Sequence, residues 1–378
     1  MPAKPILIVD GHLDMAYNAL FYRRDLTQPV RVLREREDVV RGDVSAHADS
    51  LERRQGLEAT HYTVTVTLPE MRKGRVGIML STIMARVQAA GDKIHNASRT
   101  QVAAYAKGQA HLHYYKALER EGEITFIKTV DDLDACVAAW EKPTSKTPVG
   151  LILSAESADP ILGPDQVQDW WDAGLRSVSL THFGANTYGH GTGTGGGLYP
   201  PAFPLMDALD DVGMVLDVTH ASELSFWQIM DYWDGPLHAS HCNCRALTPG
   251  HRHLSDEMIE AIVERGGVIG IVFAEQMLSP TWNWDDPSTY YKNATRPMKA
   301  AVDHIDHICG IAGTADNVAL GTDLDGGFGR ELAPIDYDNI SDLQRFPGIL
   351  ADRGYSEEDV AKICHGNLIR LFKNAWSG

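Results

Sequence analysis

Eight short apolar runs, separated by stretches with helical patterning, constrain the fold of this chain more than any other feature. The runs lie at 6–10 (ILIVD), 75–83 (RVGIMLSTI), 148–156 (PVGLILSAE), 175–182 (LRSVSLTH), 213–220 (GMVLDVTH), 236–241 (PLHASH), 266–273 (GGVIGIVF) and 317–325 (NVALGTDLD). A ninth run, ITFIKT at 124–129, is interpreted as an outlying strand. Near-continuous Val/Ile/Leu strands that alternate with helices indicate a parallel sheet covered on both faces. Eight of them predict a (β/α)8 TIM barrel. An open doubly wound sheet is the alternative, although the sequence has no GxGxxG or Walker loop to support it.

We expect a single barrel domain over residues 1–378, since 44% hydrophobic content is ample for a large core. The domain carries an insertion between the first two strands, at about 15–74, and a glycine-rich loop after the fourth, at 184–201, which we expect to be mobile. The helical stripe of DEMIEAIVERG ends at Gly266, and Ser356 and Asp359 have capping-box spacing at the start of another helix.

The charge balance argues against nucleic acid as a partner. The chain has 51 acidic residues against 34 Lys and Arg, a formal net charge of -17 that repels phosphates. No run approaches the ~18 apolar residues of a membrane span, and no signal-peptide pattern precedes the first strand. Five cysteines do not indicate a disulfide framework. We therefore expect a cytoplasmic protein without a membrane partner. A signal peptide removed before this sequence begins is the alternative.

Chemically active side chains follow six of the eight strands. Barrel enzymes place their chemistry at the C-terminal ends of strands. The residues found there are His12 and Asp14, Glu156, His182, His220, His241, and Asp323 with Asp325. Because each of these groups can bind a metal or move a proton, their recurrence predicts an active site.

Several other candidates have a simpler structural interpretation. His304 and His307 lie three residues apart on one helix, where packing or a surface role is favoured over a metal clasp. Cys242 and Cys244 are interpreted as small buried residues, and Asp325 as a residue that holds its loop. The same simpler interpretation holds for four further histidines in loops or on helices, His190, His251, His253 and His365.

Histidines and carboxylates together suit zinc or a similar divalent ion. Three histidines, one Asp and one Glu are too many donors for one open catalytic site, but they fit two metals ~3.5–4 Å apart. A further carboxylate is needed to handle protons. Asp323 is the natural choice.

The ordered set DGHLD, LSAES, LTH, DVTH, SH, RHLSDE and GTDLDG resembles the membrane dipeptidase (renal dipeptidase) family of the amidohydrolase superfamily. The similarity covers most of the chain, including LPEMRKGRVG (68–77), VDHIDHICGIAG (302–313) and GNLIRLF (366–372). The resemblance implies a binuclear zinc dipeptidase in which a metal-bridging hydroxide attacks the peptide bond. It also implies a homodimer.

The same resemblance implies a role for each site residue. One zinc ion is held by His12, Asp14 and Glu156, and Glu156 bridges to a second zinc ion held by His220 and His241. His182 stabilises the oxyanion, Asp323 moves the proton to the leaving amine, and Arg252 grips the substrate carboxylate.

This chain departs from the family pattern at the rim of the expected site. SAESAD surrounds Glu156 where the family has glycines, Ala274 replaces a substrate-facing tyrosine of animal members, and the loop at 184–201 is unusually rich in glycine. The aromatic segment TWNWDDPSTYY at 281–291 is a candidate flap over substrate, or a surface or interface segment. The alternative function is therefore hydrolysis of N-acyl amino acids, other amides or lactones. A barrel used only for binding is disfavoured because no ligand is missing.

Overall fold

The computed structural model describes residues 5–37, 63–87, 97–284, 286–289 and 293–377. It contains the nine parallel strands that the sequence predicts: β1 (Ile8–Leu13), β2 (Val76–Ile83), β3 (Ile124–Phe126), β4 (Val149–Ala155), β5 (Leu175–Ser179), β6 (Val215–Asp217), β7 (Leu237–Ala239), β8 (Val268–Ile271) and β9 (Val318–Leu320). Most strands are shorter than the apolar runs, because the chain leaves the sheet before the run reaches its polar end.

Eight strands form a nearly closed barrel in the order β1-β2-β4-β5-β6-β7-β8-β9. The ninth strand, β3, lies off this path and pairs with the first three residues of β4. This confirms the TIM barrel and the outlying strand, and the doubly wound alternative is wrong. Parallel pairing without a reversal of strand order brings every strand's C-terminal end to the same face of the barrel.

The side chain of Asp10 joins the last strand to the first. Its Oδ1 accepts the N–H of Thr322 at 2.9 Å, and its Oδ2 accepts the Thr322 hydroxyl at 2.6 Å. The N–H of Asp323 also donates to the carbonyl of His12 at 3.2 Å. These bonds set the residues after β9 directly beside those of β1.

Helices cover the outside of the barrel. They span Met15–Phe21, 30–37, Leu68–Lys73, Gln101–Arg120, Val130–Ala139, Val167–Ala173, Ala202–Asp211, Glu223–Tyr232, Asp256–Glu264, Glu275–Leu278, Lys299–Ala312, Phe346–Arg353, Glu357–Ala361 and Asn367–Trp376. Short 3-10 turns lie at Pro164–Gln166, Pro287–Thr289 and Ile340–Arg345, and a π turn lies at Lys362–Gly366. In the described part of the chain, no helix has the length and apolar character needed to cross a membrane.

The two helix signals of the sequence are confirmed. Ser255 caps Asp256–Glu264 by accepting the N–H of Met258, and the helix ends two residues before Gly266. Ser356 caps Glu357–Ala361 by accepting the N–H of Asp359. The chain then continues through the π turn into Asn367–Trp376, so the single C-terminal helical pattern is three consecutive segments.

The insertion between β1 and β2 is described at its two ends, and residues 38–62 lie outside the described ranges. Its C-terminal end docks onto Asp325, whose carboxylate accepts the Thr65 N–H and hydroxyl and the Val66 N–H. The Arg24 guanidinium lies 3.6 Å from the same carboxylate. Asp325 therefore holds its loop, as the sequence suggests, and attaches the insertion to the barrel.

We expect Asp325→Asn to destabilise the protein by about 2–3 kcal/mol, because buried donors on Thr65 and Val66 lose a charged acceptor. Thermal unfolding of the variant and the parent chain, at the same pH, measures the effect. An unchanged unfolding temperature would show that this carboxylate does not anchor the insertion.

Candidate metal centre

The predicted site residues converge on one oxygen atom, Oε1 of Glu156. This atom lies 3.7 Å from His12 Nε2, 3.2 Å from His182 Nε2, 3.2 Å from His220 Nε2 and 3.4 Å from His241 Nε2. Asp14 and Asp323 each place a carboxylate oxygen 3.9 Å from His12 Nε2. All seven predicted residues of this cluster are thus within one buried site at the C-terminal face.

Sharp turns of the backbone aim several of these side chains inward. His220 and Asp323 each lie three residues beyond the end of a strand, and both have left-handed backbone angles, with φ of 64° and 58°. Ser157, directly after Glu156, has φ of 98°. Non-glycine residues rarely adopt this conformation, and its use at active sites indicates that the surrounding structure enforces it.

The spacing of the donors fits divalent metal ions. Around zinc with ligand bonds of ~2.0–2.1 Å, neighbouring donor atoms are ~3.3–3.4 Å apart, close to several separations in this cluster. Among the described residues, three groups of three donors lie mutually within 4.8 Å: His12, Glu156 and His241; Glu156, His182 and His220; His12, Asp14 and Asp323. The groups share members, so the cluster is continuous across more than one position for an ion.

Two buried atoms of the cluster, His12 Nε2 and Glu156 Oε2, have no hydrogen-bond partner among the described residues. His220 Nε2 and His241 Nε2 face each other at 3.2 Å. Burial lowers the pKa of both of these rings well below the ordinary histidine value, which favours the neutral form of each ring. A bound cation would satisfy the lone pairs of these buried oxygen and nitrogen atoms. The residues present therefore fit a metal site.

The carboxylates crowd one another. Burial and the neighbouring charges of Asp14 and Glu156 raise the pKa of Asp323 well above the ordinary aspartate value, although Arg252 opposes the rise. Burial and Glu156 likewise raise the pKa of Asp14. Burial also opposes ionisation of Glu156, but His182 and His12 hold its pKa well below the ordinary value. Positive charge in this site would favour ionisation of all three acids.

Hydrogen bonds to the outer nitrogens distinguish His182 from His220. The Arg86 guanidinium lies 2.7 Å from His182 Nδ1. Because a guanidinium can only donate, Nδ1 is the acceptor and the ring proton is on Nε2, facing Glu156. His220 Nδ1 instead meets the Thr192 hydroxyl at 2.9 Å, which can accept the ring proton and leave Nε2 free.

Arg252 is buried beside this cluster of histidines and carboxylates. Its Nη2 donates to the carbonyl of His241 at 2.9 Å and its Nη1 to the Sγ of Cys242 at 3.3 Å. Its positive charge contributes to the lowered pKa of His220. The guanidinium is therefore held in place by the segment that carries one of the candidate ligands.

The residues given a simpler interpretation remain outside the cluster. His304 Nδ1 accepts the Cys244 N–H at 3.1 Å, whereas His307 pairs with Asp256 at 2.7 Å, so these two histidines do not clasp an ion together. His190 meets the Tyr199 hydroxyl at 2.9 Å. The Sγ of Cys242 contacts Arg252, and that of Cys244 contacts the His304 carbonyl.

Aromatic rings lie along one side of the site. The Phe183 ring is 4.9 Å from the His220 ring and 6.5 Å from that of Trp284, which contacts Trp282 at 6.0 Å. The first part of the aromatic segment at 281–291 thus approaches the metal cluster. Residues 285 and 290–292 lie outside the described ranges.

Sequence reasoning missed Arg86 and Thr192. Thr192 lies in the glycine-rich loop, and its N–H donates to the carbonyls of both His182 and His220. Gly191 explains part of the glycine content, because a Cβ there would lie 1.7 Å from the His182 carbonyl oxygen. Gly191 therefore permits close packing of the loop against the site. From composition alone, the glycines of this loop instead predict mobility.

A barrel with a buried cluster of histidines and carboxylates at its C-terminal face defines the class of metal-dependent hydrolases. The profile of the membrane dipeptidase family (peptidase family M19) matches residues 3–377, and the chain belongs to this family. The chain is therefore a metallo-dipeptidase, a hydrolase.

Solved structures agree in fold. A dipeptidase of family M19, named dipeptidase AC, has a TM-score of 0.76 at 22% identity, covering 99% of this chain and all of that one. A metallopeptidase from Rhodobacter sphaeroides, liganded with a phosphinate mimic of the dipeptide L-Ala-D-Ala, has a TM-score of 0.75 at 22% identity with the same coverage.

Sequence relatives cover parts of the chain. An uncharacterized protein in the pqqA 5' region of Klebsiella pneumoniae is 31% identical over 218 residues, which are 56% of this chain and 76% of that protein. Dipeptidase tcpJ of Claviceps purpurea is 28% identical over 207 residues, 53% of this chain. The match spans 44% of that fungal protein.

We expect Gly191→Ala to destabilise the protein by roughly 3 kcal/mol, because the new methyl group overlaps the His182 carbonyl and forces the loop away. The bonds from Thr192 to His182 and His220 are then lost, so metal content falls as well. Gly195→Ala is the matched control in the same loop, because a Cβ there would meet no atom of the described ranges within 4 Å. Thermal unfolding and metal analysis of both variants test this expectation. Equal behaviour of the two variants would contradict it.

Proposed function

We propose that this chain is a binuclear zinc dipeptidase, with the carboxylate of Glu156 shared between two ions. The observation that carries the proposal is the position of Glu156 Oε1, which lies within 3.2–3.7 Å of four imidazole nitrogens. On this proposal His12, Asp14 and Glu156 hold one zinc ion. Glu156, His220 and His241 hold the other. When bound, the ions would polarise the scissile carbonyl and lower the pKa of the attacking water.

His182 is proposed as a hydrogen-bond donor to the oxyanion, although its Nε2 is as close to Glu156 as that of His220. The support is the guanidinium of Arg86 at Nδ1, which leaves the proton on Nε2. A protonated nitrogen cannot bind a metal, but it can stabilise negative charge that develops on the carbonyl oxygen.

Asp323 is proposed as the residue that takes the proton from water and passes it to the leaving amine. Its carboxylate oxygen lies 3.9 Å from His12 Nε2, and its side chain is 16% exposed, whereas those of Asp14 and Glu156 are 2% and 4% exposed. Among these three acids it is therefore the most accessible to a substrate and to solvent. Its raised pKa also suits a group that must accept and release a proton.

Arg252 is proposed to bind the C-terminal carboxylate of the dipeptide. The guanidinium is fixed by the His241 carbonyl and by Cys242, and its fork geometry matches a carboxylate. N-acyl amino acids carry the same carboxylate, whereas simple amides and lactones do not. Comparison of these compounds identifies the substrate class.

We expect Asp323→Asn to lower kcat/KM for dipeptides by about 10³-fold while both zinc ions remain bound, because an amide cannot accept the proton. The assay is hydrolysis of a panel of L-L and L-D dipeptides, including L-Ala-D-Ala, with metal content measured on the same samples. Asp325→Asn is the control, since Asp325 bonds to the insertion and carries no proposed role in the reaction. Removal of metal with a chelator should abolish turnover, and zinc should restore it. Normal turnover by the metal-free chain would refute the proposal.

We expect Arg252→Lys to raise KM for dipeptides by roughly 10-fold or more, because an ammonium ion cannot form the paired bonds of a guanidinium. Dipeptide amides, which lack the terminal carboxylate, should be poor substrates of the parent and should lose little further activity. An equal loss on dipeptides and on their amides would contradict the assignment.

A further inference from the structure

The hydroxyl group of Ser240 lies behind the metal cluster and contacts two candidate ligands at once. Its Oγ is 2.8 Å from His241 Nδ1 and 3.4 Å from His12 Nδ1. It also donates to Asp217 Oδ2 at 2.6 Å. Ser240 is 3% exposed, so bulk water does not compete for these contacts.

A count of protons fixes the direction of these bonds. A serine hydroxyl has one proton to donate, and Asp217 accepts it. The other carboxylate oxygen of Asp217 accepts the N–H groups of Thr219 and Ser240, each at 3.0 Å, an arrangement that favours the charged form of the acid. The Thr219 hydroxyl is a further neighbour of Ser240 Oγ, at 3.4 Å. Because the serine proton is donated to Asp217, Oγ can only accept from His241 Nδ1 and His12 Nδ1, so each of these bonds requires the histidine to carry its proton on Nδ1.

This tautomer leaves the Nε2 atoms of His12 and His241 as free lone pairs, which is the state that binds a metal. The two rings lie close together, with centroids 3.6 Å apart and ring planes tilted by 32°. On the proposed ligand assignment they belong to different zinc ions. One hydroxyl group thus prepares a ligand in each half of the site.

Three glycines allow the backbone of Ser240 to pack closely against neighbouring segments of the barrel. A Cβ on Gly321 would lie 1.8 Å from the Ser240 carbonyl oxygen, and one on Gly270 would lie 2.0 Å from it. A Cβ on Gly11 would lie 3.2 Å from the same atom. Glycines in β1 and β8 and directly after β9 thus leave room for the Ser240 carbonyl group.

We propose that Ser240 and Asp217 form a positioning pair that sets the tautomers of His12 and His241 and so supports metal binding in both halves of the site at once. The inference rests on the proposed binuclear centre. Neither residue touches the substrate on this proposal, and the pair acts only through the two histidines.

The other side of the barrel offers a matched control. Asp10 holds Thr322 with three bonds of the same kind: its Oδ1 accepts the N–H of Thr322 and the backbone N–H of His12, and its Oδ2 accepts the Thr322 hydroxyl at 2.6 Å. Within the described part of the chain the Thr322 hydroxyl contacts Asp10 and the N–H of Leu324, and no histidine. Thr322→Ala therefore removes an equivalent strand contact without removing a partner of a ligand.

The test compares zinc binding by the parent chain, Ser240→Ala and Thr322→Ala. Each protein is stripped of metal and titrated with zinc in competition with a chromophoric chelator. We expect two ions in the parent, affinities for both ions about 10–100-fold weaker in Ser240→Ala, and affinities within threefold of the parent in Thr322→Ala. Spectra of the ¹⁵N-histidine-labelled, metal-free chain should show two rings leaving the Nδ1–H tautomer in Ser240→Ala only.

Each contrary result has a distinct meaning. Fewer than two ions in the parent would refute the proposed binuclear centre. Two ions in the parent and unchanged affinities in Ser240→Ala would overturn the positioning pair, as would a loss confined to one ion or an equal loss in Thr322→Ala.

A second pair of variants tests the proposal if Ser240→Ala does not fold. In Asp217→Asn the amide can donate to Ser240, which turns the serine proton towards a ring nitrogen and should weaken zinc binding. Asp325→Asn is its control, because within the described residues the Asp325 carboxylate bonds to Thr65 and Val66 and to no candidate ligand, and it should bind zinc as the parent does. Equal affinities in these two variants would overturn the proposal.

Discussion

The structure depends on the concentration of histidine and carboxylate groups around one buried carboxylate oxygen. Glu156 gathers four imidazole nitrogens within 3.7 Å, and two more acids approach from β1 and β9. Burying so many charges and lone pairs is costly unless a cation satisfies them. The parallel barrel makes the arrangement possible, because it brings the ends of distant segments to one face. Its stability supports a site that is unfavourable when metal-free.

The site is organised by the groups that meet the outer nitrogens of its histidines. A guanidinium meets His182, a threonine hydroxyl meets His220, and a serine hydroxyl meets His241 and His12. All four rings have the same covalent chemistry, so on the proposed assignment these partners decide which ring offers a lone pair and which offers a proton. The proposed metal centre therefore depends on the residues that contact its ligands as well as on the ligands themselves.

The sequence predicts the barrel and the polar side chains that gather at one end of it, for a clear physical reason. Buried parallel strands are nearly continuous apolar runs, so His12, Glu156, His220 and Asp323 stand out as polar residues at their ends. The roles of Arg86 and Thr192 could not be predicted in this way, because 96 residues separate Arg86 from His182 and 28 separate Thr192 from His220. The link from Asp217 to Ser240 depends on the register between neighbouring strands, which periodicity does not determine. The DVTH and SH motifs contain both residues, but only the fold shows that they bond to each other.

The left-handed backbone of His220 and Asp323 has an evolutionary consequence. Glycine or asparagine would relieve this strain at either position, so a substitution that abolished the function would cost little in the fold and could improve it. Selection for stability alone would therefore tend to erase the site while it preserved the barrel. Descendants of such a chain that had lost catalysis would still fold. The changes at these two turns would record when the constraint from catalysis was released.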